Sequence, residues 1–141
     1  MEEKTKKRPN VLLLLSDQQR YDTIGAAGFP HMYTPNLDRL AGEGVLFEQC
    51  HSTNPVCMAC RHDLLTGRPG RDHGYYTNLE EKPIDNYDTP TLPRIFSENG
   101  YRTAAVGKMH FFPAREHHGF GEMYLMENCP KEGRMISICS I

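Results

Sequence analysis

Residues 91–110 read TLPRIFSENGYRTAAVGKMH, and they spell out one passage from a helix into a strand. Thr91 to Asn99 carries Leu92, Ile95 and Phe96 at helical spacing, with Pro93 in the first turn. Gly100 is a stop, and Arg102 to Val106 is the strand that follows. Lys108 and His110 then stand just beyond the carboxyl end of that strand, where α/β layer folds collect their ligands.

Upstream, the same alternation repeats. Cys57 to Gly67 carries Leu64 and Leu65 on a helix starting near Cys57, and Thr34-Pro35 with Leu37, Leu40 and Ala41 predicts a short helix closed by Gly44. Val45 to Phe47 is expected as a strand. Asn10 to Ser16 is a continuous apolar run, as expected of a strand buried on both faces of a mostly parallel sheet, with Asp17 at its carboxyl end. Between Arg68 and Pro90 the chain is polar and without periodicity, which predicts a long surface excursion. The expected fold class is therefore α/β, a mostly parallel sheet flanked by helices. Met135 to Ile141 does not continue that pattern.

Composition narrows the function. The 141 residues suffice for one modest core, and 16 Lys and Arg against 18 Asp and Glu give a formal charge of −2. Apart from a short cluster from Lys4 to Arg8 there is no basic stripe, so no nucleic-acid partner is expected. Five apolar residues from Val11 are too few for an export signal or a membrane span. Five cysteines without a dense framework suit reduced thiols in a cytoplasmic protein.

Two clusters carry chemistry. Asp17 and Gln18 offer hard oxygen donors suited to Ca²⁺, Mg²⁺ or Mn²⁺, although they would serve equally as a polar cap on a strand end. The second runs Asn54-Pro55-Val56-Cys57-Met58-Ala59-Cys60-Arg61 and is followed by Leu64-Leu65-Thr66-Gly67-Arg68. This stretch resembles the sulfatase signature, in which Cys or Ser, any residue, Pro or Ala, any residue and Arg precede a Leu-Thr-Gly-Arg-like segment. Arg8-Pro9-Asn10-Val11 leading to Asp17, Thr34 to Leu40, and Gly100-Tyr101 leading to Gly107-Lys108-Met109-His110 are similar to other sulfatase segments in the same order.

That resemblance implies an alkaline-phosphatase-like fold, of which residues 9–127 would be an N-terminal and incomplete part, with 1–8 and 128–141 as tails. It implies that a maturation enzyme converts Cys57 to formylglycine, whose hydrate can expel sulfate through its second hydroxyl. Asp17, Gln18 and residue 57 are then expected to hold a divalent cation, Ca²⁺ with Mn²⁺ or Mg²⁺ as alternatives. Arg61, at i+4 from residue 57, would stabilise the oxyanion. Lys108 and His110, pointing the same way in an extended segment, would serve the sulfate oxygens and the leaving group, and His110 could donate the proton. The substrate would be a small sulfate ester.

Departures leave substrate choice open. Gln18 stands where many relatives have a second Asp, Ala59 replaces the commoner Pro, and Met109 stands where many have Trp. A phosphonate or phosphate monoester is the alternative substrate, and a non-catalytic fragment is a third reading. Cys57-x-x-Cys60 also has the spacing of a redox dithiol or, with Cys50, His51 and His62, of a zinc site. Ligand counting predicts that these residues alone are not an active enzyme.

Overall fold

The computed structural model describes residues 8–79, 89–126 and 139–140, the last pair by backbone alone. Most of the basic cluster at Lys4 to Arg8, the acidic stretch from Glu80 to Asp88 and most of 128–141 lie outside them. The chain divides into two compact units, Met1–Cys50 and His51–Ile141.

In the first unit, two 3₁₀ turns at Tyr21–Thr23 and Gly25–Ala27 precede helix α1, Pro35–Glu43. A polar knot ties the second turn to α1: Gly25 N–H donates to Thr34 Oγ1 at 2.8 Å, and Ala26 N–H to Asp38 Oδ1 at 2.8 Å. The helix falls where the proline and the apolar stripe predict it. The strands expected at Asn10–Ser16 and Val45–Phe47 do not form, and Val11 to Leu15 are exposed. Strand identity requires a second strand to satisfy the N–H and C=O groups. Among the described residues no backbone hydrogen bond joins either segment to another.

The second unit holds α2 (Cys57–Thr66), α3 (Gly70–His73), α4 (Leu92–Glu98), β1 (Ala104–Gly107), β2 (Glu122–Leu125) and β3 (Cys139–Ser140). Helix α4 forms where its apolar spacing and Pro93 predict it, and the structure adds a cap, Arg94 N–H donating to Thr91 Oγ1 at 3.4 Å. β1 begins two residues later and ends one residue later than its predicted span, and the Thr103 carbonyl just before it accepts from the N–H groups of Gly121 and Glu122. β1 and β2 pair in parallel, Ala104 opposite Glu122 through Gly107 opposite Leu125. β3 adds antiparallel to β2, so two residues of the expected patternless tail join the sheet.

Residues 108–121 make the crossover between the parallel strands without a helix, so the polar residues after β1 belong to a loop that must return across the sheet. Leu65, Ala105, Phe111, Met123 and Leu125 form one apolar cluster. Met58, Ala59 and Tyr75 form the other, so α2 contributes to both. The surface excursion expected from Arg68 to Pro90 is corrected in its first part, where α3 forms and Tyr75 is 1% exposed. No helix among the described residues is long and apolar enough to cross a membrane.

Met123, also 1% exposed, sits in the larger cluster, whereas Val106 on β1 points outward. Met123→Ala is expected to cost about 2–5 kcal/mol, and Val106→Ala to stay within about 0.5 kcal/mol. Urea midpoints of the two variants against the parent check this ordering.

Candidate active site

Pro55 biases Asn54 away from helical backbone, and Val56 is extended at φ −116° and ψ 136°, so the helix cannot begin before Cys57. Its first ladder bond runs from Cys60 N–H to the Val56 carbonyl at 2.8 Å. The Met58 N–H, one of the donors a helix start leaves without an internal partner, is taken by Asn78 Oδ1 at 3.0 Å. Gly67 ends α2 in the left-handed region at φ 66°. Residue 57 is therefore held at the positive end of the helix dipole.

One turn on, Arg61 is buried, and its Nη1 donates to the backbone carbonyl of Lys108 at 2.7 Å. Gly107, at φ 102°, turns the chain as it leaves β1, and Lys108 reaches back with Nζ 3.8 Å from Cys57 Sγ. An ammonium and a helix N-terminus thus meet at one half-buried thiol, with the Arg61 guanidinium holding the backbone that carries the ammonium.

The second unit brings Cys57, Arg61 and Lys108 together. His110 follows two residues later, but its φ of 52° breaks the extended path that was to align it with Lys108. Asp17 and Gln18 belong to the first unit, exposed on a bend, with Gln18 at φ 58°. Non-glycine residues in this region are uncommon and tend to mark functional segments. Their adjacent carboxylate and carboxamide oxygens fit a hard cation in kind. Among the described residues, no three His, Cys, Asp or Glu side chains gather as a metal site, which gives the zinc alternative no support.

Behind the thiol lies a histidine network that sequence reasoning missed. His62 is fully buried and stacks on Tyr75 with ring centroids 3.8 Å apart, with Phe111 meeting it edge-on at 6.3 Å. Neither of its ring nitrogens has a hydrogen-bond partner among the described residues. His73 accepts the Tyr75 N–H at Nδ1, 3.1 Å away, so Nε2 carries the proton it shares with Asp63 Oδ1 at 2.5 Å. Thr53 donates its hydroxyl to the other oxygen of Asp63. His118, at φ 46°, sets its ring edge-on to Phe111. The useful signal was the pairing of three histidines with Tyr75 and Phe111, but those residues are scattered from 62 to 118 and share no local period.

Residues 9–135 match the family model Sulfatase. The arylsulfatase of Clostridium perfringens is 39% identical over 118 residues, covering 84% of this chain and 24% of that protein. A solved structure in complex with its substrate D-glucosamine-2-N,6-O-disulfate aligns with a TM-score of 0.74 at 32% identity, over 83% of this chain and 23% of that one. The phosphonate monoester hydrolase of Agrobacterium radiobacter aligns with a TM-score of 0.74 at 28% identity, over 88% of this chain and 27% of that one. The fold is a small α/β piece of the alkaline-phosphatase-like class. The chain belongs to the sulfatase family, whose members are sulfatase-type hydrolases. It spans about a quarter of the length of the curated relatives it matches.

Burial lowers His62 from 6.5 to about 4, helped by His73 and His118, while Asp63 opposes the shift. Burial also lowers His118 to about 4, with Glu116 opposing. Between pH 6.5 and about 4 the folded chain therefore binds fewer protons at these rings than the unfolded chain. The stability they contribute is complete above the unfolded value and is lost as pH falls through this window. Urea midpoints should drop from neutral pH to about pH 5. His62→Phe, which keeps a ring against Tyr75, should shrink that drop; an undiminished drop would assign the pH dependence elsewhere.

Proposed function

We propose that the protein to which these residues belong hydrolyses a small sulfate ester, with residue 57 as nucleophile after a maturation enzyme has oxidised its thiol to formylglycine. The observation that carries this reading is Lys108 Nζ at 3.8 Å from Cys57 Sγ, at the start of α2. In this structure the Cys57 sulfur stands in for the hydroxyls that the hydrated aldehyde would carry in the matured protein. That hydrate supplies two hydroxyls, one to take up the sulfuryl group and one through which sulfate leaves by elimination.

Lys108 would hold a sulfate oxygen and balance the charge that develops there. Arg61 uses one N–H to fix the Lys108 carbonyl and retains others for the oxyanion at residue 57. His110 would donate a proton to the departing alcohol. Asp17, Gln18 and residue 57 would hold Ca²⁺, or Mn²⁺ or Mg²⁺, which when bound polarises the nucleophile and templates the ester. These three positions offer fewer oxygens than the roughly six to eight that Ca²⁺ takes, so the 141 residues alone are expected to hold it weakly. Residues 9–127 are read as the N-terminal part of the catalytic domain. The cysteine usage supports a cytoplasmic setting, with neither nucleic acid nor membrane as partner. A phosphonate or phosphate monoester is the second reading, favoured by the likeness to the phosphonate monoester hydrolase and by Gln18.

Residue 57 should carry an aldehyde, by peptide mass, when the protein is produced with a maturation enzyme. Thiol alone, where a control sulfatase is converted, would refute the nucleophile. Rates on an aryl sulfate and an aryl phosphonate monoester then separate the two substrate readings. Lys108→Ala should lower kcat/KM on the preferred ester by about 10²–10³-fold while leaving Ca²⁺ titration unchanged, and Asp17→Ala should weaken the titration itself. An Asp17→Ala protein that binds Ca²⁺ as tightly as its parent would displace the metal from this position.

A further inference from the structure

Cys60 is unused by the chemistry proposed above, yet it lies one helical turn from the nucleophile. Both sulfurs belong to half-buried residues on the first turn of α2, and the Ser52 hydroxyl oxygen lies 3.5 Å from Cys60 Sγ. Cys57 has Lys108 Nζ within 3.8 Å. A cation beside an attacking sulfur and a second thiol at i+3 on a helix start are the parts a dithiol exchange centre needs.

We propose that Cys57 and Cys60 form a reversible disulfide, so that residue 57 is a branch point between disulfide formation and conversion to the aldehyde. The oxidant is a low-molecular-weight disulfide. The Cys57 sulfur attacks its S–S bond, forms a mixed disulfide and releases one thiol. Cys60 then attacks the Cys57 sulfur, breaks the mixed bond and releases the second thiol. The two protein thiols lose two electrons and two protons, and the reagent gains both as its two thiols.

Helix geometry puts Cβ atoms at i and i+3 about 5–6 Å apart, and a disulfide needs about 3.5–4.5 Å. The first turn must therefore tighten by about 1–2 Å. The adjustment falls on the N-terminal edge of α2, where the first ladder bond is Cys60 N–H to the Val56 carbonyl and the Met58 N–H is held by the Asn78 side chain. Tightening moves residue 57 relative to Lys108 and occupies the sulfur that maturation must oxidise. The competition with maturation rests on the formylglycine reading; the disulfide does not.

The test uses the 141-residue chain with Cys50, Cys129 and Cys139 changed to Ser, equilibrated over a range of reduced to oxidised glutathione and quenched in acid. Trypsin cuts after Arg39 and Arg61, so both sulfurs fall in the peptide Leu40 to Arg61. The expected product is that peptide short of two hydrogens, rising with the oxidised fraction. Cys60→Ser and Cys60→Ala should carry only a glutathione adduct at Cys57. A parent peptide that stays dithiol, or takes only glutathione, across the range overturns the proposal. The reduced and disulfide forms are then given to the maturation enzyme, and conversion should be lost in proportion to the disulfide fraction. Equal conversion of both forms overturns the branch point. Failure of the reduced form to convert, beside a converted control sulfatase, overturns the formylglycine reading while the disulfide stands on its own mass.

Discussion

The hydrogen bond from the Arg61 guanidinium to the Lys108 carbonyl, 2.7 Å long and largely withdrawn from water, is the contact on which the candidate site depends. It joins two segments that are 47 residues apart, the first turns of α2 and the loop that leaves β1. A buried guanidinium left without acceptors is costly, so the two elements are held together by the penalty of separating them as much as by the bond. With the Lys108 backbone fixed, its ammonium has a short reach to residue 57.

The apolar packing acts in the same direction. Leu65 on α2 lies in one cluster with Ala105 on β1 and Met123 on β2, while Met58 and Ala59 pack with Tyr75. The helix that presents Cys57 is thus seated on the sheet by one face and on the loop after α3 by another. His62 strengthens the second seat at the expense of burying a ring whose two nitrogens have no hydrogen-bond partner among the described residues. Its shift to about 4 is the electrostatic trace of that cost.

The elements read correctly from sequence carry their own punctuation. Thr91, Pro93 and Gly100 delimit α4, Pro35 and Gly44 delimit α1, and Cys57 and Gly67 bracket α2. Helices close their hydrogen bonds locally, so local signals suffice. The strands at Asn10–Ser16 and Val45–Phe47 failed because pairing is decided by residues elsewhere, which an apolar run cannot report. In the site, Cys57, Arg61 and Lys108 were found through the resemblance of their segments to sulfatase motifs. Asn78 and His73 were missed because a loop carboxamide that accepts from a helix start 20 residues away and a histidine bridging an aspartate to a backbone N–H have no spacing to betray them.

Whether residue 57 stands in a niche suited to an anion can be reported by its own thiol. In a chain whose other cysteines are Ser, the rates of alkylation by iodoacetate and by iodoacetamide differ mainly in the charge of the reagent, and their ratio measures the local potential. The expected ratio lies above that of an unstructured cysteine peptide, falling several-fold in Lys108→Ala and falling also in Arg61→Ala. A ratio equal to that of the peptide, and unmoved by either substitution, would contradict it.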